Sequence, residues 1–270
     1  MVAAGQICDE YGIDTMSAGV AIGFAMECFE RGLISEQDTE GIKLRFGDDS
    51  AMMALLGKIV RKEGIGKILA KGTRYASEQI TGSEGFAMHA KGMEFGGYEC
   101  RNSWGQALQF AINARGGDHH VYGLPARVEH VKGLGTQLEG KGQMVKNAAT
   151  RRILCDSAML CTFPYPKIYG DESVTALFSA LLGKEIPLAE VLKIGERVQT
   201  MERIFNAREG LTRDDDQLPA RLTKEPKPDG PGAGAVVPLE ALKDDYYRAM
   251  GWDVATGLPG EALCRELGIK

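Results

Sequence analysis

An all-α, multihelical protein with two helical domains, residues 1–90 and 91–270, is what this sequence predicts. Apolar residues recur at helical spacing in stretch after stretch, and glycines stand where those stretches should stop. The chain has 270 residues, 44% of them hydrophobic, which is enough to bury a sizeable core. A change of texture between positions 82 and 123, where glycine, aromatic, charged and histidine residues concentrate, separates the two halves.

The first clear element runs from Thr15 to Arg31, with Met16, Val20, Phe24 and Ala25 on one face, Met26 and Phe29 widening it, and Gly32 as its stop. Asp48 or Asp49 can cap a second helix that continues to Lys62 and closes at Gly64. Gly66 to Gln79 reads as a third, with Ile68, Leu69 and Tyr75 inward. A short helix is expected at Trp104 to Asn113, inside the segment of changed texture. Helical patterns return at Gln143 to Leu154, Asp171 to Leu182 and Pro187 to Arg208, where proline suits a first turn. The prolines and glycines of KEPKPDGPGAGA, Lys224 to Ala235, predict an exposed connector. A last helix, Leu239 to Met250, follows, with the tail packed back on the body.

Charge and composition exclude several classes of function. The net charge is −5 and the cations are interspersed with acids, so no footprint for nucleic acid or an anionic membrane surface is present. No apolar run reaches the roughly 18 residues of a membrane span, and the start lacks signal-like features. The cytoplasm is the expected location. Six dispersed cysteines, at 8, 28, 100, 155, 161 and 264, read as reduced thiols and leave metal ligation open for one or two.

Two short motifs echo one another. Asp9, Glu10, Tyr11, Gly12, Ile13 and Asp14 align with Asp156, Ser157, Ala158, Met159, Leu160 and Cys161. Each gives an aspartate, two free positions, a small or apolar residue, an aliphatic residue, then Asp or Cys. An aspartate near a turn can accept hydrogen bonds from the amino and ring N–H groups of a pterin-like heterocycle, and two motifs suit two heterocycles. The alternative for each is ordinary: an Asp at a helix end is a cap, and a Cys after Leu is a small core residue.

DEYGID, DSAMLC, NARGGDH and RIFNAREGLTRDDDQLPARL together resemble the C-terminal two thirds of the tungsten-containing aldehyde ferredoxin oxidoreductase family, and the resemblance covers essentially the whole sequence. It implies two all-helical domains that, with an N-terminal β domain, enclose a tungsten (or molybdenum) bis-pterin cofactor beside one [4Fe–4S] cluster. By resemblance Asp9, Gly12, Ile13 and Asp14 hold the first pterin and Asp156, Leu160 and Cys161 the second. Cys161 is also implied as the fourth cluster ligand. The implied reaction oxidises an aldehyde to a carboxylic acid, with electrons passing to ferredoxin. Met159 departs from the glycine common at its position. The C-x2-C-x3-C run that completes the cluster in the family is not found among the remaining cysteines. The expectation is therefore a missing N-terminal domain or a companion subunit that carries it.

The segment of changed texture supplies the remaining candidates. The match to Arg-Gly-Gly-x-His in the family places His119 near the metal as a proton carrier behind a flexible glycine pair, with His120 in support. Tyr98, in GGYECR, would donate a hydrogen bond to a substrate oxygen; the alternative is a buried tyrosine, with Arg101 paired to Glu99 or Glu94. The acids of TRDDDQ are expected at a solvated surface turn. Two other readings remain at this stage: a hydrolase using His89, His119, His120 and His130 around a metal, and a helical fragment or assembly module that binds no cofactor by itself.

Overall fold

The computed structural model describes residues 1–164 and 170–269, and within them the chain is multihelical. α1 (Val2–Tyr11) and α2 (Thr15–Glu30) lead to α3 (Asp49–Arg61), α4 (Gly66–Leu69) and α5 (Thr73–Gln79). A small antiparallel hairpin follows, β1 (His89–Ala90) with β2 (Met93–Glu94), pairing His89 with Glu94. Beyond it come α6 (Trp104–Ile112), α7 (Pro125–Lys132), α8 (Lys141–Ser157), α9 (Gly170–Leu182), α10 (Leu188–Arg208), α11 (Ala220–Lys224), α12 (Leu239–Met250) and α13 (Glu261–Glu266). No helix among the described residues is long and apolar enough to cross a membrane.

Local chemistry explains most helix limits. Asp14 caps α2 by accepting from Ser17 N–H at 2.7 Å, and Asp48 caps α3 by accepting from Ala51 N–H at 2.9 Å. α3 also carries Asp49 in its first turn and Lys58 and Arg61 in its last, charges that suit the helix dipole at each end. Its stop comes two residues before Gly64, at Lys62, which itself takes the left-handed conformation at φ 54°.

Residues between 8 and 87 bury one core, in which Phe24, Ala25, Cys28, Leu44, Leu55 and Leu56 are inaccessible or nearly so. A second core, between residues 90 and 252, gathers around α8, which packs against α12, α10 and α6. Leu108, Phe110, Val145, Ala149, Leu242 and Tyr246 fill it, the buried Leu, Val and Phe side chains contributing about 1.5–3 kcal/mol each. A small satellite of Leu154, Val174, Phe178 and Val191 joins α8, α9 and α10. We propose the domain boundary at the gap between the two main cores, near residue 90. Arg221 of α11 ties them together, pairing with Glu27 of α2 and lying 5.5 Å from the centre of the Phe86 ring.

Several expectations need correction. The single helix expected over 66–79 is two, because Gly72 turns at φ 89° and Glu94 of β2 reaches in to accept from Thr73 N–H at 2.6 Å, capping α5 from a distance. α7 has no counterpart in the periodicity reading; its buried Glu129 accepts from Gly105 N–H at 2.7 Å and so supplies the cap that α6 lacks locally. Pro187 precedes α10 as its N-cap instead of lying in its first turn. The connector from 224 is largely exposed but is closed on itself, with Lys227 N–H donating to Ala235 O at 2.9 Å and Gly234 N–H to Lys227 O at 2.8 Å. The acidic turn is the largest departure. Asp215 does cap it through a reciprocal bond with Thr212, but Asp216 is wholly buried, held by Lys91 at 2.7 Å, Arg203 at 3.0 Å and the Tyr247 hydroxyl.

Candidate functional site

The echo between the two motifs is a structural one. In the first, α1 ends with Gly12 at φ 65°; Ile13 N–H donates to Cys8 O at 2.8 Å and Gly12 N–H to Asp9 O at 3.4 Å. In the second, α8 ends with Met159 at φ 57°; Leu160 N–H donates to Cys155 O at 2.8 Å and Met159 N–H to Asp156 O at 3.1 Å. Both are Schellman closures, in which a left-handed residue lets the last carbonyls of the helix find donors and the next aliphatic residue folds back over the helix. Cys8 and Cys155 sit at the same position in each and are buried, while Asp9 and Asp156 point outward and are exposed.

Glycine occupies the left-handed position without strain, whereas a side chain there costs about 1–2 kcal/mol. Met159 is 93% exposed, so its side chain recovers little by packing. Met159→Gly is therefore expected to stabilise the chain by about 1 kcal/mol, read as a rise in the urea midpoint at unchanged slope. A lower midpoint would mean that the methionine makes a contact worth more than the strain.

The carboxylates that follow differ. The Asp9 carboxylate makes no hydrogen bond or ion pair among the described residues, while its backbone carbonyl accepts from Gly12 N–H. Asp14 is already engaged as the cap of α2, so the ordinary reading of that residue holds whatever else it does. Asp156 pairs with Arg152 at 3.3 Å, and Arg152 also donates to Thr162 just beyond Cys161, which ties the Cys161 loop to the last turns of α8. Cys161 is exposed and Leu160 half-buried.

His119 lies on the loop after α6, and its surroundings are tightly built. Gln109 and Asn113 side-chain amides both donate to Asp118 O, at 2.7 and 2.8 Å, and Arg115 pairs with the Asp118 carboxylate at 3.1 Å. The glycine pair before it is not a flexible link. A Cβ on Gly116 would stand 2.2 Å from Ala90 O and one on Gly117 2.3 Å from Met93 O, so the loop passes over the hairpin at a distance only glycine permits. The His119 ring lies 4.0 Å from that of His120 and 5.8 Å from that of Tyr98, centre to centre. Burial, then His120 and Arg152, push the His119 imidazole below its usual range; Asp118 and Asp14 oppose them. Charges from the cap of α2 and from the end of α8 thus both act on this ring.

Some features had no signal in the pattern. Glu202 of α10 is pushed up by burial despite accepting from the Tyr122 hydroxyl at 2.8 Å, and it feels both Arg115 and Asp156. Arg152 was visible in principle, four residues before Asp156 on one helix face. Arg101 does pair with Glu99, at 2.7 Å, and reaches Glu225 O at 3.2 Å. Tyr98 is 39% exposed, so it is available at a surface and not sealed in the core.

The residues suit the two implied groups unequally. A pterin needs outward acceptors beside an open backbone turn, and both helix ends offer one. A [4Fe–4S] cluster needs four thiolates. Cys8, Cys28, Cys100 and Cys155 are buried, and burial pushes their thiols up, Cys28 to about 12. Cys161 alone is exposed, and among the described residues no three His, Cys, Asp or Glu side chains stand together to hold a metal. The chain can offer a cluster one ligand, not a site. The same observation leaves the histidine hydrolase without a ligand set.

A family model described as aldehyde ferredoxin oxidoreductase, domains 2 and 3, matches residues 1–269. The tungsten-containing aldehyde ferredoxin oxidoreductases of Pyrococcus abyssi and Pyrococcus horikoshii are each 35% identical over 282 residues, covering 100% of this chain and 45% of theirs. The aliphatic sulfonate oxidoreductase, WOR-like subunit, of Pyrococcus furiosus is 34% identical over 280 residues, covering 97% of this chain and 41% of its own. The chain thus spans a little under half the length of these relatives. Among solved structures, the active site complex BamBC of benzoyl coenzyme A reductase with 1,5-dienoyl-CoA aligns with a TM-score of 0.75 at 24% identity, over 99% of this chain and 46% of that one; it shows the fold.

Proposed function

Because the chain belongs to the aldehyde ferredoxin oxidoreductase family, we propose that it is the C-terminal part of a tungsten (or molybdenum) bis-pterin oxidoreductase that acts in the cytoplasm, converting an aldehyde and water to a carboxylic acid, two protons and two electrons. The electrons leave through a [4Fe–4S] cluster to ferredoxin. The observation that carries this reading is the pair of matched helix ends with outward Asp9 and Asp156, one for each pterin. The bound metal centre supplies the two-electron chemistry.

This chain's residues would do the rest. Asp9, Gly12, Ile13 and Asp14 border one pterin, and Asp156, Leu160 and Cys161 the other, with Cys161 contributing one thiolate to the cluster. Tyr98 donates its hydroxyl proton in a hydrogen bond to the substrate oxygen, and neutral His119 takes up a proton released in the reaction at a ring nitrogen. The other three thiolates and the remaining wall of the site come from an N-terminal domain or companion subunit. Substrate class is where relatives differ in name, aldehyde in some and aliphatic sulfonate in another.

Anaerobic purification with any associated polypeptide, followed by elemental analysis, tests the proposal. Stoichiometric tungsten or molybdenum with about four irons is expected, and Asp9→Ala or Asp156→Ala should lower pterin content while far-UV circular dichroism stays the same. A metal-free chain that purifies alone would replace this reading with that of a helical assembly module.

A further inference from the structure

α7 carries features that the redox reading leaves unused. Arg127 and His130, three residues apart, share one face of this helix and line a cleft of about 810 Å3 together with Tyr98, Leu124, Gly97 and Gly232. That size is typical of small-molecule sites, which run to several hundred Å3. The two carboxylates in its wall are already committed. Glu99 pairs with Arg101 at 2.7 Å, and Glu129 pairs with Lys141 while also accepting from the N–H groups of Gly105 and Gln106. Neither Arg127 nor His130 has an ion-pair or side-chain hydrogen-bond partner among the described residues. The charge left over in the cleft is therefore positive, and Leu124 and Tyr98 are the large apolar side chains in its lining.

We propose that this cleft is a binding site for a small organic carboxylate. Arg127 pairs with both carboxylate oxygens, the geometry a planar guanidinium favours, and a His130 ring N–H adds a third donor. The organic body lies along Leu124 and Tyr98. Tyr98 is a wall of the cleft and is also 5.8 Å, ring to ring, from His119, so the site adjoins the one assigned above to chemistry. The identity of the occupant rests on the proposed function: an aldehyde oxidation releases a carboxylate, and a substrate with a remote acid group brings one in. Carboxylate binding itself does not depend on that reading.

The test has two arms, both on the protein as purified with any companion chain. Benzoate is titrated while the fluorescence of Trp104, which adjoins the lining residue Ser103, is followed. Saturable binding is expected, weakened about tenfold or more in Arg127→Gln and less in His130→Gln, with benzyl alcohol failing to compete. The kinetic arm compares 4-carboxybenzaldehyde with benzaldehyde. If the site serves a remote acid group, Arg127→Gln raises KM for the first at least about tenfold more than for the second. If it serves the product, the KM ratio stays the same and inhibition by benzoate weakens instead. Benzoate that does not bind, or that binds equally to wild type and Arg127→Gln, overturns the proposal. Aldehydes that are not turned over while benzoate still binds through Arg127 would overturn the proposed reaction and leave the carboxylate site standing.

Discussion

Asp216→Ala is expected to cost about 3–5 kcal/mol, a large part of the roughly 5–15 kcal/mol by which a domain is stable. The carboxylate is completely buried between the Lys91 ammonium and the Arg203 guanidinium and also accepts from the Tyr247 hydroxyl. Truncation leaves both cations out of water without a counter-charge. Lys91 still donates to Ala111 O and Arg203 to Gly257 O, so neither can swing out to solvent freely. Tyr247, whose hydroxyl is already pushed well up by burial and by this carboxylate, would keep its proton and lose its acceptor. Asp214→Ala and Asp215→Ala, in the same run, serve as controls. Asp215 caps an exposed turn and should cost about 1 kcal/mol, and Asp214 less. Chemical denaturation of the three variants decides the matter. Equal losses across them would mean that Asp216 is no more than another surface acid.

That contrast marks what could be read from the sequence and what could not. The helices Thr15–Glu30 and Leu239–Met250 are legible as helices because apolar recurrence every 3.6 residues depends only on neighbours in the chain, but the face is less so: Met16, expected inward, is 38% exposed, while Ala18, Ala21 and Ile22 are buried. Which of three adjacent aspartates is buried depends on Lys91, far back in the chain, and on Arg203, which no local pattern encodes. The break at Gly72 and the cap of α6 fail for the same reason, since Glu94 and Glu129 reach them from other elements. In the candidate site, the repeated aspartates and the histidine after two glycines were legible as motifs. Their common conformation was not, because Gly12 announces a left-handed turn and Met159 conceals one. The cleft beside α7 gave no signal, as an arginine and a histidine three apart are an unremarkable helix surface until the opposite wall is known.

In the proposed oxidoreductase, with His119 in the role proposed for it, His119→Gln is expected to lower kcat by about 10²–10⁴-fold with a much smaller change in KM, the usual effect of removing a positioned proton acceptor. Glutamine keeps an N–H and nearly the same reach but cannot take up a proton, so a ring that only positioned its neighbours would be largely replaced by it. The pH profile separates the roles further. Burial, His120 and Arg152 together hold the His119 imidazole below its ordinary range, which favours the neutral ring that can accept a proton. Activity should fall only when the pH drops through that lowered value, where the ring protonates. Removing the positive charge in Arg152→Met stabilises the imidazolium, raises the value and moves the acid limb to higher pH. Asp14→Asn, which removes a carboxylate that favours the imidazolium, moves it the other way. Opposite displacements in the two variants, absent in His119→Gln, would identify His119 as the group that titrates. An acid limb that ignores both substitutions would assign the proton transfer to another residue and leave His119 as part of the wall beside Tyr98.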